Sequence, residues 1–221
     1  MWKTVLFDLD GTLTDPKEGI TKSVAHALAH YGIAAEPDKL VCFIGPPLID
    51  SFRDFYGFER EKGLEAVKYY REYFTTRGIF ENAVYDSIPA LLKALKGSGM
   101  CVALATSKPE PFAIQILEHF GISEYFDHVC GAPLDESINS TKGTVIATAI
   151  EKCGNKDFSE IIMVGDRKHD ILGAHENGIE CIGVLYGYGS RNELTEAGAD
   201  YITETVESLK TLLTMQNGGT I

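Results

Sequence analysis

Residues Val5 to Leu9 form an apolar, partly β-branched run that ends at a Gly-Thr turn, and this run limits the folds open to the chain. The pattern is typical of a strand that is buried on both faces, as strands are in parallel sheets. Asp8 interrupts the run. Because a carboxylate inside a buried strand costs free energy unless a cation or donors compensate it, Asp8 is expected where the strand leaves the sheet.

Asp10 follows Asp8 at the spacing that points side chains the same way in a strand. The two carboxylates would converge if the strand persisted, although Gly11 is expected to turn the chain there. Two converging acids suggest a hard cation and divided nucleophile and acid roles. An ordinary turn at Asp10-Gly11 is the structural alternative, and this stretch alone leaves both interpretations open.

From Ser87 onward the patterns of helix and strand alternate, which predicts a doubly wound parallel sheet in an α/β core. Ligands of such sheets bind beyond the carboxyl ends of the strands. Polar residues follow the predicted strands or open the next helices there: Thr106, Ser107, Lys142, Asp166 and Asp170.

These residues also have ordinary structural interpretations. Thr106 or Ser107 could cap the following helix. Lys142 could be a solvated lysine, although a cation at a helix N-terminus opposes the helix dipole. Asp166 and Asp170 would share a helix face if their turn is helical, and a metal or Lys142 would then offset their repulsion. Two other lysines are less well placed for this role: Lys108 and Lys152.

Residues 15–84 are predicted to form a separate α-helical domain, inserted between segments 1–14 and 85–221 of the core. Three apolar stripes at helical spacing predict the core of a small bundle. Gly45, followed by two prolines, is expected to form a rigid turn. Arg53, farther along, could supply a cation or belong to a solvated face.

Four motifs resemble the signatures of the haloacid dehalogenase-like phosphatase superfamily. They are Asp8-Leu9-Asp10-Gly11-Thr12, the position of Thr106 after a hydrophobic strand, Lys142, and Gly165-Asp166 with Asp170 four residues later. The motifs occur in the family's order, with a helical insert after the first. The resemblance implies a Rossmann-like α/β core and an α-helical cap over the active site.

The resemblance also implies a mechanism. Magnesium would be held by Asp8, Asp166 and the backbone carbonyl of Asp10. Asp8 would attack phosphorus, and Asp10 would act as general acid and then as base. Asp170 would orient Lys142 or a metal-bound water. Two residues would stabilise phosphoryl oxygens: Thr106 and Lys142. The substrate-binding positions expected are Gly11, Thr12, Ser107, Gly45 and Arg53.

The whole chain is most similar to the phosphoglycolate phosphatase-like group and to bacterial proteins described as 5′-nucleotidase-like. We therefore expect a small phosphorylated metabolite as substrate, either phosphoglycolate-like or a 5′-nucleotide. Asp10 favours phosphorus chemistry, because dehalogenases of the superfamily lack the second acid. Two alternatives stay open. One is a receiver-type signalling module, but the helical insert and Asp10 argue against it. The other is a phosphotransferase or mutase of the same superfamily. Pro46 disfavours a mutase, because related mutases often carry an arginine directly after the glycine that corresponds to Gly45.

The formal net charge of −12 disfavours nucleic acid as a partner, because binding a polyphosphate backbone relies on Lys and Arg. The first strand begins too close to Met1 for a signal peptide, and no apolar run reaches membrane-spanning length, so a cytoplasmic protein without membrane association is expected. The five cysteines lack close metal-ligand spacing and are expected to be mostly reduced core thiols. A monomer or homodimer is expected.

Overall fold

The computed structural model describes residues 1–135, 138 and 140–215. The chain separates into two compact units, the core unit of Met1–Leu13 and Val84–Ile221 and the helical unit of Thr14–Ala83. A frayed tail is expected over residues 216–221, which lie outside the described part of the chain.

The strands are numbered along the chain as β1 (Thr4–Phe7), β2 (Thr14–Asp15), β3 (Ala83–Val84), β4 (Cys101–Pro109), β5 (His128–Ala132), β6 (Ile161–Gly165), β7 (Glu180–Val184) and β8 (Tyr201–Thr203). The helices are α1 (Lys17–Ala29), α2 (Leu48–Tyr56), α3 (Arg60–Tyr73), α4 (Ile88–Gly97), α5 (Glu110–His119), α6 (Lys142–Cys153), α7 (Lys168–Glu176), α8 (Arg191–Glu196) and α9 (Val206–Met215).

The core sheet has the strand order β5-β4-β1-β6-β7-β8, and its paired strands are parallel. Strand β1 is buried along its whole length, as its apolar sequence predicts. The chain builds one side of the sheet from β1 outward and then returns to place β6 on the other side of β1. This reversal makes β1 and β6 the switch point of a doubly wound α/β fold, so the predicted fold class is confirmed.

The register of the sheet determines which loops meet. Phe7, the last residue of β1, pairs with Leu104 of β4 on one side and with Val164 of β6 on the other. The residues that follow these three positions therefore leave the sheet at the same edge. Asp8, Thr106 and Asp166 are all among them.

Two structural alternatives considered for this edge do not apply. Strand β4 continues to Pro109, with a register shift after Thr106, and Pro109 precedes α5 without a side-chain cap. Neither Thr106 nor Ser107 is therefore the N-cap of that helix. Asp166 precedes α7, whereas Asp170 lies in its first turn, so the two acids do not share a helix face.

In the helical unit, α1, α2 and α3 are accompanied by a 3₁₀ helix at Pro37–Phe43 and a π-helical turn at Phe74–Gly78. Apolar side chains from these elements are buried at helical spacing: Val24, Leu28, Phe43, Phe52, Val67 and Phe74. Helix α2 begins directly after Gly45-Pro46-Pro47 and ends at Tyr56, and the φ of 64° at Gly57 suits a glycine that follows a helix.

Candidate active site

Lys142 connects two acidic side chains at the carboxyl edge of the core sheet. Its Nζ donates a hydrogen bond to Asp8 Oδ1 at 2.7 Å and lies 2.7 Å from Asp170 Oδ1. The three side chains are at most 7% exposed. Lys142 is the first residue of α6, where a cation opposes the helix dipole, and the two carboxylates offset that cost. The neighbouring acids also raise the pKa of Lys142 against the effect of its burial, so it stays charged.

Local hydrogen bonds hold the two ends of this contact in place. Thr141 caps α6, because its side chain accepts the N–H of Thr144 while the Thr144 hydroxyl accepts the N–H of Thr141. Asp170 accepts the backbone N–H of Arg167 at 3.0 Å. The lysine and its acidic partner are therefore fixed at the starts of two different helices.

Asp166 completes a buried acidic cluster. One carboxylate oxygen from each of Asp8, Asp166 and Asp170 lies within 4.8 Å of the others. Asp166 Oδ2 accepts the backbone N–H of Tyr188 at 2.7 Å, and the hydroxyl of Thr12 lies 3.5 Å from its Oδ1. Burial, with the repulsion of Asp170 and Asp8, raises the pKa of Asp166 well above its usual range. Burial likewise raises the pKa of Asp170 to about 6, although Lys142 opposes the shift.

Asp10 has a cationic partner that the sequence did not identify. Lys108 Nζ donates to Asp10 Oδ2 at 2.6 Å, and both side chains are buried. Burial raises the pKa of Asp10, and Lys108 opposes that rise. Lys142 is the lysine that contacts Asp8, as expected, and Lys108 instead pairs with the second acid of the motif.

A positional signal for Lys108 was available in the sequence. Lys108 follows Thr106 by two residues, and this spacing points side chains to the same face where a strand continues. The strand does continue there, and the backbone N–H of Lys108 donates to the Thr106 hydroxyl at 3.2 Å. The contact between Lys108 and Asp10 was missed because β4 was expected to end before Thr106, whereas the strand runs to Pro109.

Gly11 allows the first loop to approach Asp166 closely. Its φ is +88°, and a Cβ built at this position would lie 2.2 Å from Asp166 Oδ2. We expect Gly11→Ala to lower the free energy of unfolding by more than the cost of about 1–3 kcal/mol that a left-handed non-glycine residue carries, because the methyl group also displaces a buried carboxylate. Urea unfolding measures this difference.

Gly121→Ala is the matched control for Gly11→Ala. Gly121 also has a positive φ, of +65°, but a Cβ there meets no atom within 4 Å. The control therefore carries the backbone cost without the clash. Equal losses of stability in the two variants would contradict the close approach of Gly11 to Asp166.

The remaining predicted binding residues are divided between the units. In the core unit, Thr12 is buried, its carbonyl accepts the hydroxyl of Tyr186 at 3.0 Å, and Ser107 is half-buried in β4. In the helical unit, Gly45 has a φ of 103°, and Arg53 on α2 pairs with Asp50 and Asp54 at 2.9 and 2.8 Å. The role of Gly45 and Arg53 in substrate binding stays a prediction. Within the described ranges, no helix has the length and apolar character to span a membrane.

The chain is similar in sequence to a family of known proteins. The family model described as haloacid dehalogenase-like hydrolase matches residues 5–184. The chain is 48% identical over 195 residues to a 5′-nucleotidase of Pseudomonas aeruginosa, with 87% of each chain covered. It is 31% identical over 206 residues to a phosphoglycolate phosphatase of Yersinia pestis, which covers 90% of this chain and 87% of the relative.

Two further comparisons extend this picture. A crystal structure described as a predicted phosphatase from Clostridium acetobutylicum superposes with a TM-score of 0.94 at 47% identity, covering 97% of this chain and 99% of that one. Tyrosine-protein kinase PtkA of Mycobacterium tuberculosis is 39% identical over 213 residues, covering 95% of this chain and 72% of the relative. The chain therefore belongs to the haloacid dehalogenase-like hydrolase family, as its four motifs predict, and is an enzyme of the phosphatase type.

Proposed function

We propose that this protein is a Mg²⁺-dependent phosphomonoesterase that works through an aspartyl-phosphate intermediate on Asp8. The observation that carries the proposal is the placement of the Asp8 carboxylate, 2.7 Å from Lys142 and in one buried cluster with Asp166 and Asp170. A nucleophile in contact with a buried cation and beside a candidate metal site suits attack on an anionic phosphate ester.

The charges of the cluster fit a divalent cation. Asp8, Asp10, Asp166 and Asp170 face the two buried lysines Lys108 and Lys142, so full ionisation of these six groups leaves two negative charges. Carboxylate oxygens are the ligands that Mg²⁺ prefers. In addition, Asp10 Oδ1 is buried and has no hydrogen-bond partner among the described residues. We assign Mg²⁺ to Asp8, Asp166 and the backbone carbonyl of Asp10.

Asp8 would attack phosphorus, forming an aspartyl-phosphate as the ester P–O bond breaks. Bound Mg²⁺ would supply positive charge that screens the repulsion between the carboxylate nucleophile and the phosphate. Lys142 stabilises the charge that builds on the phosphoryl oxygens, and Asp170 keeps the lysine oriented towards Asp8.

Asp10 is proposed as the acid and base. Burial raises the pKa of Asp10, which favours the protonated form that can donate to the leaving alkoxide. The resulting carboxylate then takes a proton from the water that cleaves the acyl phosphate, which returns both aspartates to their starting states. General acid–base catalysis of this kind contributes about 10²–10⁴-fold to the rate.

Four residues are proposed to bind the phosphoryl group around this centre. Thr106 would contribute its hydroxyl and Ser107 its polar groups from within β4, because both follow Leu104, the position at which β4 pairs with the end of β1. Gly11 and Thr12 lie in the loop directly after Asp10, where Gly11 permits the close approach to Asp166.

The proposed substrate is a small phosphorylated metabolite. A 5′-nucleotide is preferred to phosphoglycolate, because the 5′-nucleotidase is the more similar of the two relatives described above. The test is phosphate release from 5′-nucleotides, phosphoglycolate and an aryl phosphate, with Mg²⁺ and with excess EDTA. We expect multiple turnovers with Mg²⁺ and none with EDTA.

The same assay distinguishes the alternatives. A receiver-type module would hold its phosphoryl group and release at most about one phosphate per chain. The similarity to a tyrosine-protein kinase makes phosphoryl transfer to another acceptor the second alternative. Transfer would leave free phosphate below the amount of alcohol product, whereas hydrolysis yields the two in equal amounts.

Lys108→Met tests the role of Lys108 in positioning and tuning Asp10. Lys108 lowers the pKa of Asp10, so its loss should raise that pKa further. Because Asp10 must be protonated to start the reaction, kcat/KM of the unsubstituted protein should fall at high pH. In Lys108→Met the decrease in kcat/KM should occur at a higher pH. We also expect kcat to drop by about 10²-fold, the lower end of an acid–base contribution. A pH series of initial rates measures both effects.

Lys93→Met provides the control, because Lys93 is exposed on α4 of the same unit. It should leave both the rate and the pH profile unchanged. A Lys108→Met enzyme with a lower rate but an unmoved alkaline limb would show that Lys108 only supports the fold.

A further inference from the structure

Three side chains with nitrogen or sulfur donors converge at the other edge of the core sheet. Cys101 is the first residue of β4, His128 is the first residue of β5, and Cys153 is the last residue of α6. One donor atom from each side chain lies within 4.8 Å of the other two. The three residues are far apart in sequence, so they form no short metal-ligand motif that could be recognised from the sequence.

This cluster is separate from the candidate active site. Lys142 begins α6 and Cys153 ends it, which places about 16 Å of helix between the two locations. The cluster also lies where β4 and β5 begin, whereas Asp8 and Asp166 follow the strands that end at the opposite edge. A ligand bound by the cysteines therefore cannot share residues with the acidic cluster.

We propose that Cys101, His128 and Cys153 bind a thiophilic metal ion, with Zn²⁺ as the best match. Thiolate sulfur and imidazole nitrogen are characteristic zinc ligands. Tetrahedral coordination requires donor atoms about 3.5–3.8 Å apart, which the 4.8 Å limit of this cluster allows with small side-chain adjustments. Hard cations such as Mg²⁺ prefer oxygen ligands, so the two clusters select different metals.

The charges at this location also suit a divalent ion. Two thiolates neutralise Zn²⁺, and the neutral imidazole adds no charge. The carboxylate of the adjacent Asp127, which also interacts with the Cys101 thiol, accepts from Lys96 Nζ at 2.6 Å and from the backbone N–H of Val102 at 2.9 Å, so Asp127 and Lys96 form a neutral ion pair. The Zn²⁺ complex would therefore carry no net charge, and neither does the neighbouring ion pair of Asp127 and Lys96. The free-energy cost of burying the complex in part is low for this reason.

The site has access to solvent. Cys101, His128 and Cys153 are all partly exposed, and Cys101 and His128 help to line a shallow depression of about 350 Å³ with Asp127 and Lys96. This depression offers an entry path and room for a water molecule as the fourth ligand. Binding exchanges two S–H bonds for two metal–sulfur bonds and releases two protons.

Cobalt substitution tests the proposal with a readout that is independent of turnover. The protein is reduced, freed of metal with EDTA and titrated with Co²⁺. We expect a thiolate-to-cobalt charge-transfer band that saturates at one Co²⁺ per chain and is abolished when Zn²⁺ is added. Co²⁺ bound by the carboxylates of the acidic cluster produces no such band, because that cluster contains no sulfur.

Variants assign the band to its ligands. Cys101→Ser and Cys153→Ser should each lose it, and His128→Gln should weaken Co²⁺ binding by about tenfold or more because one ligand is gone. Cys42→Ser, in the helical unit, is the control and should retain the full band. Circular dichroism and Mg²⁺-dependent phosphate release should match the unsubstituted protein in all four variants, because none of these residues belongs to the proposed catalytic site.

Three results would overturn the assignment. They are the absence of a charge-transfer band in the reduced protein, persistence of the full band in both cysteine variants, and unchanged Co²⁺ affinity in folded His128→Gln. If Cys101→Ser does not fold, Cys153→Ser and His128→Gln decide the question, since both positions are partly exposed at the ends of their elements.

Discussion

Replacing Asp8 with asparagine is expected to lower Mg²⁺-dependent phosphate release by at least about 10³-fold, because the amide cannot serve as the nucleophile that forms the aspartyl-phosphate. Asp8 is buried, and Lys142 holds its carboxylate at 2.7 Å. The change keeps the size of the side chain, and Lys142 retains Asp170 as a partner. Steady-state phosphate release measures the loss.

Asp86→Asn is the matched control, since Asp86 is an exposed aspartate of the same unit. It should retain full activity. A second readout is the trapped intermediate: rapid acid quenching should recover protein-bound phosphate from the unsubstituted enzyme and none from Asp8→Asn. Turnover retained by a purified Asp8→Asn protein would remove Asp8 from the role of nucleophile.

Lys142→Met is expected to lower both stability and activity. The substitution leaves Asp8 and Asp170 buried without the cation that bridges them, and breaking a buried pair in this way costs about 3–5 kcal/mol. Loss of the positive charge beside Asp8, the proposed nucleophile, should also reduce kcat by about 10²–10³-fold, the range for removing one preorganised donor. Urea unfolding in EDTA and phosphate release in Mg²⁺ measure the two effects.

Added Mg²⁺ should raise the melting temperature of Lys142→Met, because an ion that binds only the folded acidic cluster stabilises it. Lys152→Met, which removes an exposed lysine near the end of the same helix, is the control and should change the stability in EDTA by less than about 0.5 kcal/mol. If Lys142→Met is as stable in EDTA as this control, the lysine does not offset the repulsion of the buried acids.

The sequence was most informative where a local pattern has one structural solution. The apolar run at Val5 to Leu9 could be buried only as an inner strand, and β1 is that strand, although it ends at Phe7. Alternating helix and strand patterns predicted the parallel sheet, whose polar loop residues then share one edge. The family could be predicted from the same residues, because its sequence motifs lie at this edge of the sheet.

Errors arose where a contact between distant segments decides the outcome. Strand β4 continues past Thr106 because β5 pairs with it as far as Pro109, and this extension brings Lys108 to Asp10. The convergence of Cys101, His128 and Cys153 likewise depends on the pairing of β4 with β5 and on the packing of α6.

The amino-acid sequence by itself determined the α/β fold and the family and identified four acidic residues as candidates for the site, because periodicity and short motifs are local properties. Only the tertiary structure decided which cation neutralises which acid and which thiols face one another. These contacts depend on the register of neighbouring strands and on where the helices end. Asp10 and Lys108 are 98 residues apart, and a contact over such a distance produces no periodic pattern in the sequence.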